Sequence, residues 1–325
     1  MYKNFLRLLI LIGLIFLGPA LTFAETYVSG TISTNTTWTL SNSPYIVTGN
    51  VTVNSGVTLT IEPGVEVKFD GLYNLDTYGV LRAVGTTESR IKFISNKASP
   101  VAYDWGSIVI RSSSSVIDYT EIRHGGSGVY IASNSARVAN SIIENNINGI
   151  YTDREGSYTY PVIENNTIQN NTESGVYTRQ DAMAIIRNNV IINNGQYGIR
   201  LRALYAEFPG NTVINNNSIY GNTTYNIYCD NPNGYDLSGY RVNAESNWWG
   251  TVDVNAVMAG IRDYHDDHLL ATVVISGYLD GPGGSPYNAG GTYVHGAIIA
   301  NTTWTLNNSP YIVIGDIRVI SGVTL

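Results

Sequence analysis

Between Val51 and Gly250 apolar and polar residues alternate in short runs, each closed by asparagine or glycine. Alternation with a period of two marks strands with one buried face. The runs are too short for the layers of a sandwich, and no hairpin turn signal joins one to the next. Four segments align without gaps: Asn140-SIIENNINGIYTD, Asn166-TIQNNTESGVYTR, Asn189-VIINNGQYGIRLR and Asn217-SIYGNTTYNIYCD. Their first residues are spaced by 26, 23 and 28. An asparagine opens each, and an isoleucine follows two residues on (Ile142, Ile168, Ile191, Ile219). A second asparagine comes three residues later (Asn145, Asn171, Asn194, Asn222). Gly149-Ile150, Gly175-Val176, Gly198-Ile199 and Asn226-Ile227 occupy the next shared slot. Thr120-EIRHGGSGVY is a shortened earlier copy, and Asn247, with Trp249 in the isoleucine slot, opens a fifth.

A repeat of this length cannot bury its own apolar face and has to stack on its neighbours. If each repeat is one turn of a solenoid, equivalent residues lie about 4.8 Å apart. Isoleucines then line the interior. Asparagines occupy the bends, where Asn tolerates left-handed dihedrals and its amide can bond the equivalents above and below. Asn35, Asn50, Asn165, Asn170, Asn216, Asn222 and Asn301 also stand in N-x-[ST], the glycosylation acceptor, but most of these are not ladder positions.

On this N-x-I…N…G-I signature the chain resembles the right-handed parallel β-helix repeat (pectin-lyase-like) surface proteins of bacteria or archaea. The resemblance spans roughly Val51 to Gly250. It implies three short parallel strands per turn, with the G-I strand in the first sheet. The stretch Asn247-WWGTVDVNAVMAGIRDYHDDH is similar to the segment that ends such helices. The expected fold is therefore all-β, a right-handed single-stranded parallel β-helix with a short capping helix at its C-terminal end. Val254, Val257, Met258 and Ile261 are spaced as one helix face behind Asp253.

The ends divide the chain further. Lys3 and Arg7, the apolar run Leu8 to Leu17, and Thr22-Phe23-Ala24 before Glu25 read as a signal peptide. The expected organisation is a signal peptide (1–24), β-helix (25–250), cap (251–280), linker (281–292) and the start of a second, truncated β-helix unit (293–325). That last segment repeats Tyr27–Leu59 at an offset of 266 residues, with 23 identities in 33. The expected setting is secreted or at the cell surface, with no membrane span after signal cleavage and with the chain part of a longer tandem array.

Composition narrows the function. Only 13% of residues are charged, net charge is −7 and there are four lysines, so a nucleic-acid partner, which needs a basic stripe, is not expected. The polar surface comes instead from 35 Asn, 33 Gly and 24 Tyr. The single cysteine, Cys229, falls at an inward strand position and reads as a small buried hydrophobe.

Candidate chemistry lies on the G-I strand. One residue past the inward Ile150, Val176, Ile199 and Ile227, the outward residues are Tyr151, Tyr177, Arg200 and Tyr228, with Tyr130 before them. Two residues further on come Asp153, Arg179, Arg202 and Asp230. In β-helix lyases and hydrolases this sheet carries the substrate groove. Tyrosine rings can stack on sugars, and arginine can fork onto a uronic carboxylate. The structural alternative is a set of stabilising tyrosine stacks, with surface pairs Asp153–Arg179 and Arg202–Asp230 and a cation–π contact of Arg200 with Tyr177.

Asp153 and Asp230 lie three coils apart, about 14 Å, whereas glycosidase carboxylates stand about 5 to 9.5 Å apart. Glu155, Glu173, Asp181 and Glu207 are loop acids that could swing in. Asp263, Asp266 and Asp267 are weak candidates for calcium; no other cofactor is expected. The reading is a noncatalytic surface or adhesive module, glycan-binding or spacer. The alternative is a polysaccharide lyase, glycoside hydrolase or sugar epimerase.

Overall fold

The computed structural model describes residues 24–133, 135–154, 159–180, 182–204, 207–287 and 291–325. The signal segment, except for Ala24, lies outside them, as do Glu155 and Asp181. The chain is a mostly-β parallel solenoid of about 12 turns, with one short α-helix among the described residues.

A full turn carries three strands. The first face is a ten-stranded parallel sheet running from Thr36–Trp38 to Thr272–Val274. The second face stacks Glu66–Phe69, Ile91–Ser95, Thr120–Arg123, Ile142–Glu144, Thr167–Gln169, Val190–Ile192 and Ser218–Tyr220. The third face stacks Leu75–Thr77, Ile108–Ile110, Ser127–Ile131, Asn148–Thr152, Ser174–Arg179, Tyr197–Arg202, Tyr225–Asp230 and Ile261–Arg262. The first long strands, Thr26–Ile32 and Tyr45–Val53, span the second and third faces, with a register shift between Val28 and Gly30.

The core is a set of aligned columns. Ile163, Ile186 and Ile214 come from the first face, Ile143, Ile168, Ile191 and Ile219 from the second, and Ile150, Val176, Ile199 and Ile227 from the third; all are fully buried. Each such side chain contributes about 2 kcal/mol of burial. The Gly of the G-I pair is required by crowding: a Cβ at Gly175 would meet Asn194 Nδ2, Gly198 O and Ile191 Cγ2, each at 2.8 Å.

Two asparagine ladders hold the bends on either side of the second face. In the first, Asn166, Asn189 and Asn217 donate through their backbone N–H to the Oδ1 of Asn189, Asn217 and Asn247, each at 2.9 Å. In the second, Asn146, Asn171 and Asn194 donate likewise to Asn171, Asn194 and Asn222, each at 3.1 Å. Ladder members are buried, apart from the half-buried Asn222, and do not take the left-handed conformation. That conformation belongs to the residue just before each: Asn165, Asn188, Asn216 and Ser246 on one side, Asn145, Asn170, Asn193 and Gly221 on the other, all at φ between 54° and 69°. The Asn-Asn doublet therefore divides the work, the first residue turning the chain and the second bonding the stack.

This corrects the register of the first repeat. Asn140 is left-handed (φ 49°), and Ser141 stands in the ladder, donating from its N–H to Asn166 Oδ1 at 2.9 Å. Ile143, not Ile142, pairs with Ile168, and Asn146, not Asn145, with Asn171. The cap expectation is also corrected in part. The helix is Val254–Ala259, with Asp253 Oδ1 accepting from Asn255 N, and it buries Val257 and Met258. Ile261 is not on it but on a third-face strand paired with Ile227. No described helix is long and apolar enough to cross a membrane.

Candidate functional site: a tyrosine and arginine ladder on the third face

The strand register aligns the outward residues of the third face into one column: Tyr130, Tyr151, Tyr177, Arg200, Tyr228 and Arg262. Beside it Arg179, Arg202 and Asp230 are in register, and Asp153 joins them through a 2.5 Å bond from Arg179 Nη2. The tyrosines, arginines and aspartates expected on the G-I strand are thus together on the third face.

The rings pack against one another, tilted by 32° between Tyr130 and Tyr151 and by 58° between Tyr151 and Tyr177. Tyr130 and Tyr151 have centroids 4.9 Å apart, and Tyr151 and Tyr177 4.7 Å. The Arg200 guanidinium lies 4.7 Å from the centre of the Tyr177 ring and 5.5 Å from that of Tyr197. Tyr197 stacks on Tyr228 at 4.5 Å, Tyr225 on Tyr228 at 5.7 Å, and Arg262 lies 5.9 Å from the Tyr228 ring centre. The expected Arg200–Tyr177 contact is present. Tyr197, Tyr225 and Arg262 are members that the spacing argument missed. Tyr197 and Tyr225 directly precede Gly198 and Asn226, a shared slot in two repeats, and Gly260-Ile261-Arg262 repeats the Gly198-Ile199-Arg200 motif.

The ion pairs differ from the expected exposed pairs. Asp153 and Asp230 are only 3% and 5% exposed, roofed by arginines. Asp230 Oδ2 accepts from Arg200 Nε at 3.0 Å and Nη2 at 2.7 Å, while Arg202 stands off at 3.5 Å. Asp230 is therefore primarily the partner of Arg200. Burial works against the charges of Arg179 and Arg200, yet the hydrogen bonds to Asp153 and Asp230 hold both above the ordinary guanidinium range. Burial raises the Tyr151 and Tyr228 phenols, with Asp153 and Asp230 adding to it, so both hydroxyls stay protonated donors.

The other candidates are dispersed. Glu207 pairs with Arg154 at 3.0 Å. Asp263 is fully buried and accepts from His265 N at 3.0 Å and Val273 N at 2.8 Å. Burial pushes its carboxyl up to about 6 against those donors. Asp266 accepts from Asp263 N and Asp267 from Leu269 N. These carboxylates knit a turn, and no group of three His, Cys, Asp or Glu converges on a metal position among the described residues. Cys229 is buried, which raises its thiol well above the ordinary range.

Two family models describe the same scaffold. Residues 78–242 match the family described as "Right handed beta helix region", and residues 30–116 match "Pectate-lyase like beta helix domain". A stretch of 127 residues is 33% identical to Protein bark beetle of Drosophila melanogaster, covering 36% of this chain and 4% of that protein. The chain thus spans a small fraction of that relative's length. The crystal structure of Dettilon tailspike protein (gp208) aligns over 91% of this chain and 61% of its own at 16% identity, with a TM-score of 0.30. With a family match over half its length, on strands that coil in parallel turns, the chain belongs to the right-handed β-helix family.

Proposed function

We propose that this chain is a noncatalytic β-helix module of a secreted or cell-surface protein, and that the tyrosine–arginine face acts first as a mechanical ladder of a rigid spacer. The observation that carries this reading is the packing of the rings on one another. Centroid separations of 4.7 to 4.9 Å in the column, and 4.5 Å between Tyr197 and Tyr228, engage each of these rings with a neighbour of the same stack, so a sugar would compete with ring–ring contacts already made. Arg200 and Arg179 are engaged by carboxylates of the same stack, so a uronic acid would have to displace an existing, largely desolvated partner. A glycan array probed with wild type, together with thermal unfolding of Tyr177→Ala, tests it. The spacer reading expects no polysaccharide capture and a lowered melting temperature. Capture that Tyr177→Ala abolishes without loss of stability replaces it with the glycan-binding reading. The pectate-lyase-like match at residues 30–116 favours a polysaccharide-cleaving enzyme as the second reading. Shortening of an acidic polysaccharide by wild type, lost in Arg179→Ala, would establish that instead.

A further inference from the structure

The second copy builds the same element as the first. Thr292–Ile298 pairs in parallel with Tyr311–Val319 in the register of Thr26–Ile32 with Tyr45–Val53, including the shift, here between Val294 and Gly296. Trp304 stacks on Tyr311 at 4.6 Å, as Trp38 does on Tyr45 at 4.9 Å. The surroundings differ. Among the described residues the first copy is the outermost element of the stack, where Tyr27 is 65% exposed and Ser29, Thr31, Ser33 and Thr34 are all exposed. The second lies against the last turn of the first unit. Arg241 Nη1 donates to Ala297 O at 2.7 Å, and Ala297 N donates to Thr272 Oγ1 at 3.4 Å. Tyr293 stacks on Tyr278 at 6.2 Å, and Gly315 is so close to His265 that a Cβ there would meet Nδ1 at 2.3 Å.

The sequence differences between the copies concentrate on this contact. At an offset of 266 residues, Ser29, Thr31, Ser33 and Thr34 become His295, Ala297, Ile299 and Ala300, so four hydroxyls are lost within six residues. Ala297 is 1% exposed, and His295, Ile299 and Ala300 line the cavity of about 420 Å³ that remains between the units. Asn50 becomes Asp316, which lies 3.2 Å from His268 of the first unit. A polar strand suits a free end, where it discourages edge pairing. An apolar one suits a buried contact.

We propose that these positions are an address: an apolar start element docks its unit on the last turn of the preceding unit, and the polar start element of the first copy disfavours such docking. The array is then a rod of coupled units with a fixed polarity. This inference goes beyond the spacer reading and stands whether or not the third face binds a glycan.

The test uses the full chain carrying His268→Cys and Asp316→Cys as a proximity probe, with buried Cys229 silent. Into it go His295→Ser, Ala297→Thr, Ile299→Ser and Ala300→Thr. These restore residues that support the same strand pair in the first copy, so local folding is retained. The cross-linking rate should fall about tenfold or more as the two thiols separate; an unchanged rate overturns the proposal. Adding Ser29→His, Thr31→Ala, Ser33→Ile and Thr34→Ala to the same four-fold reverted chain, without the cysteines, exchanges the addresses. Sedimentation should then show concentration-dependent head-to-tail oligomers, and a monomer at all concentrations overturns the claim that these four positions are the address.

Discussion

Replacing Asn189 by alanine removes one rung of the first ladder, and the consequences can be followed atom by atom. Its Oδ1 accepts from Asn166 N at 2.9 Å and from Asn166 Nδ2 at 3.1 Å. Its Nδ2 donates to Ile163 O and Arg187 O, both at 2.9 Å, and to Asn217 Oδ1 at 3.0 Å. Several partners keep a second bond: Asn166 Nδ2 retains Val138 O, Asn217 Oδ1 retains Asn189 N, and Arg187 O retains Asn165 N. The buried N–H of Asn166 loses its acceptor. One orphaned donor, at about 1 to 3 kcal/mol, together with the net loss of the remaining bonds, gives a cost of about 4 kcal/mol. The neighbouring Asn165→Ala is the control. Asn165 is exposed at φ 57°, so it loses about 1 kcal/mol of left-handed tolerance, and Asn165→Gly should lose nothing. Guanidinium unfolding followed by far-ultraviolet circular dichroism reads both through the midpoint at constant slope. If Asn165→Ala costs as much as Asn189→Ala, the division of labour within the doublet is wrong.

Arg200→Ala leaves the Asp230 carboxylate buried with Arg202 at 3.5 Å as its nearest cation, and should cost about 3 kcal/mol in urea unfolding; Arg200→Lys should rescue little, since the guanidinium plane over Tyr177 is lost. Gly175→Ala should destabilise by several kcal/mol through its 2.8 Å clashes, whereas Gly239→Ala, with nothing within 4 Å, should leave the melting temperature unchanged. The unit junction should loosen in acid. Burial, with the charges of His265 and Arg241, depresses His295 to about 4, so docking is fully supported above about pH 6.5 and lost as pH falls toward 4. His295 is half-buried, so the effect should be about 1 to 2 kcal/mol, below the ceiling of about 3. The exposed His268–Asp316 pair is too weak to offset it. Limited proteolysis of the linker against pH reads this, and His295→Ser should flatten the profile.

The parallel coil was legible because strand alternation, G-I pairs and recurring asparagines agree with one another. The register of one repeat was not, for a physical reason. The bend from Asn146 to Gly149 is one residue shorter than that from Asn171 to Gly175. An ungapped alignment over the whole repeat therefore slips its front half, and the doublets Ile142-Ile143 and Asn145-Asn146 disguise the slip. Ile261 was hidden because four apolar residues at helical spacing mask a Gly-Ile-Arg strand motif. On the third face, period two placed every side chain on the correct surface. It could not tell a free ring from one packed on its neighbour, because that depends on side-chain torsions set by the next coil, and neither could it show that Arg200 reaches across the strand to Asp230.

The two ladders also set where the protein can vary. Successive rungs from Asn166 through Asn189 and Asn217 to Asn247 are 23, 28 and 30 residues apart, yet both laddered bends keep nearly constant length. The extra residues all enter at the third corner, between Arg179 and Ile185, Arg202 and Val213, and Asp230 and Asn243, the partner of Val213. That corner is the evolvable margin of the fold. Chain can be inserted there, coil by coil, without breaking a rung or an isoleucine column, so new surface can be acquired while the stack beneath stays unchanged.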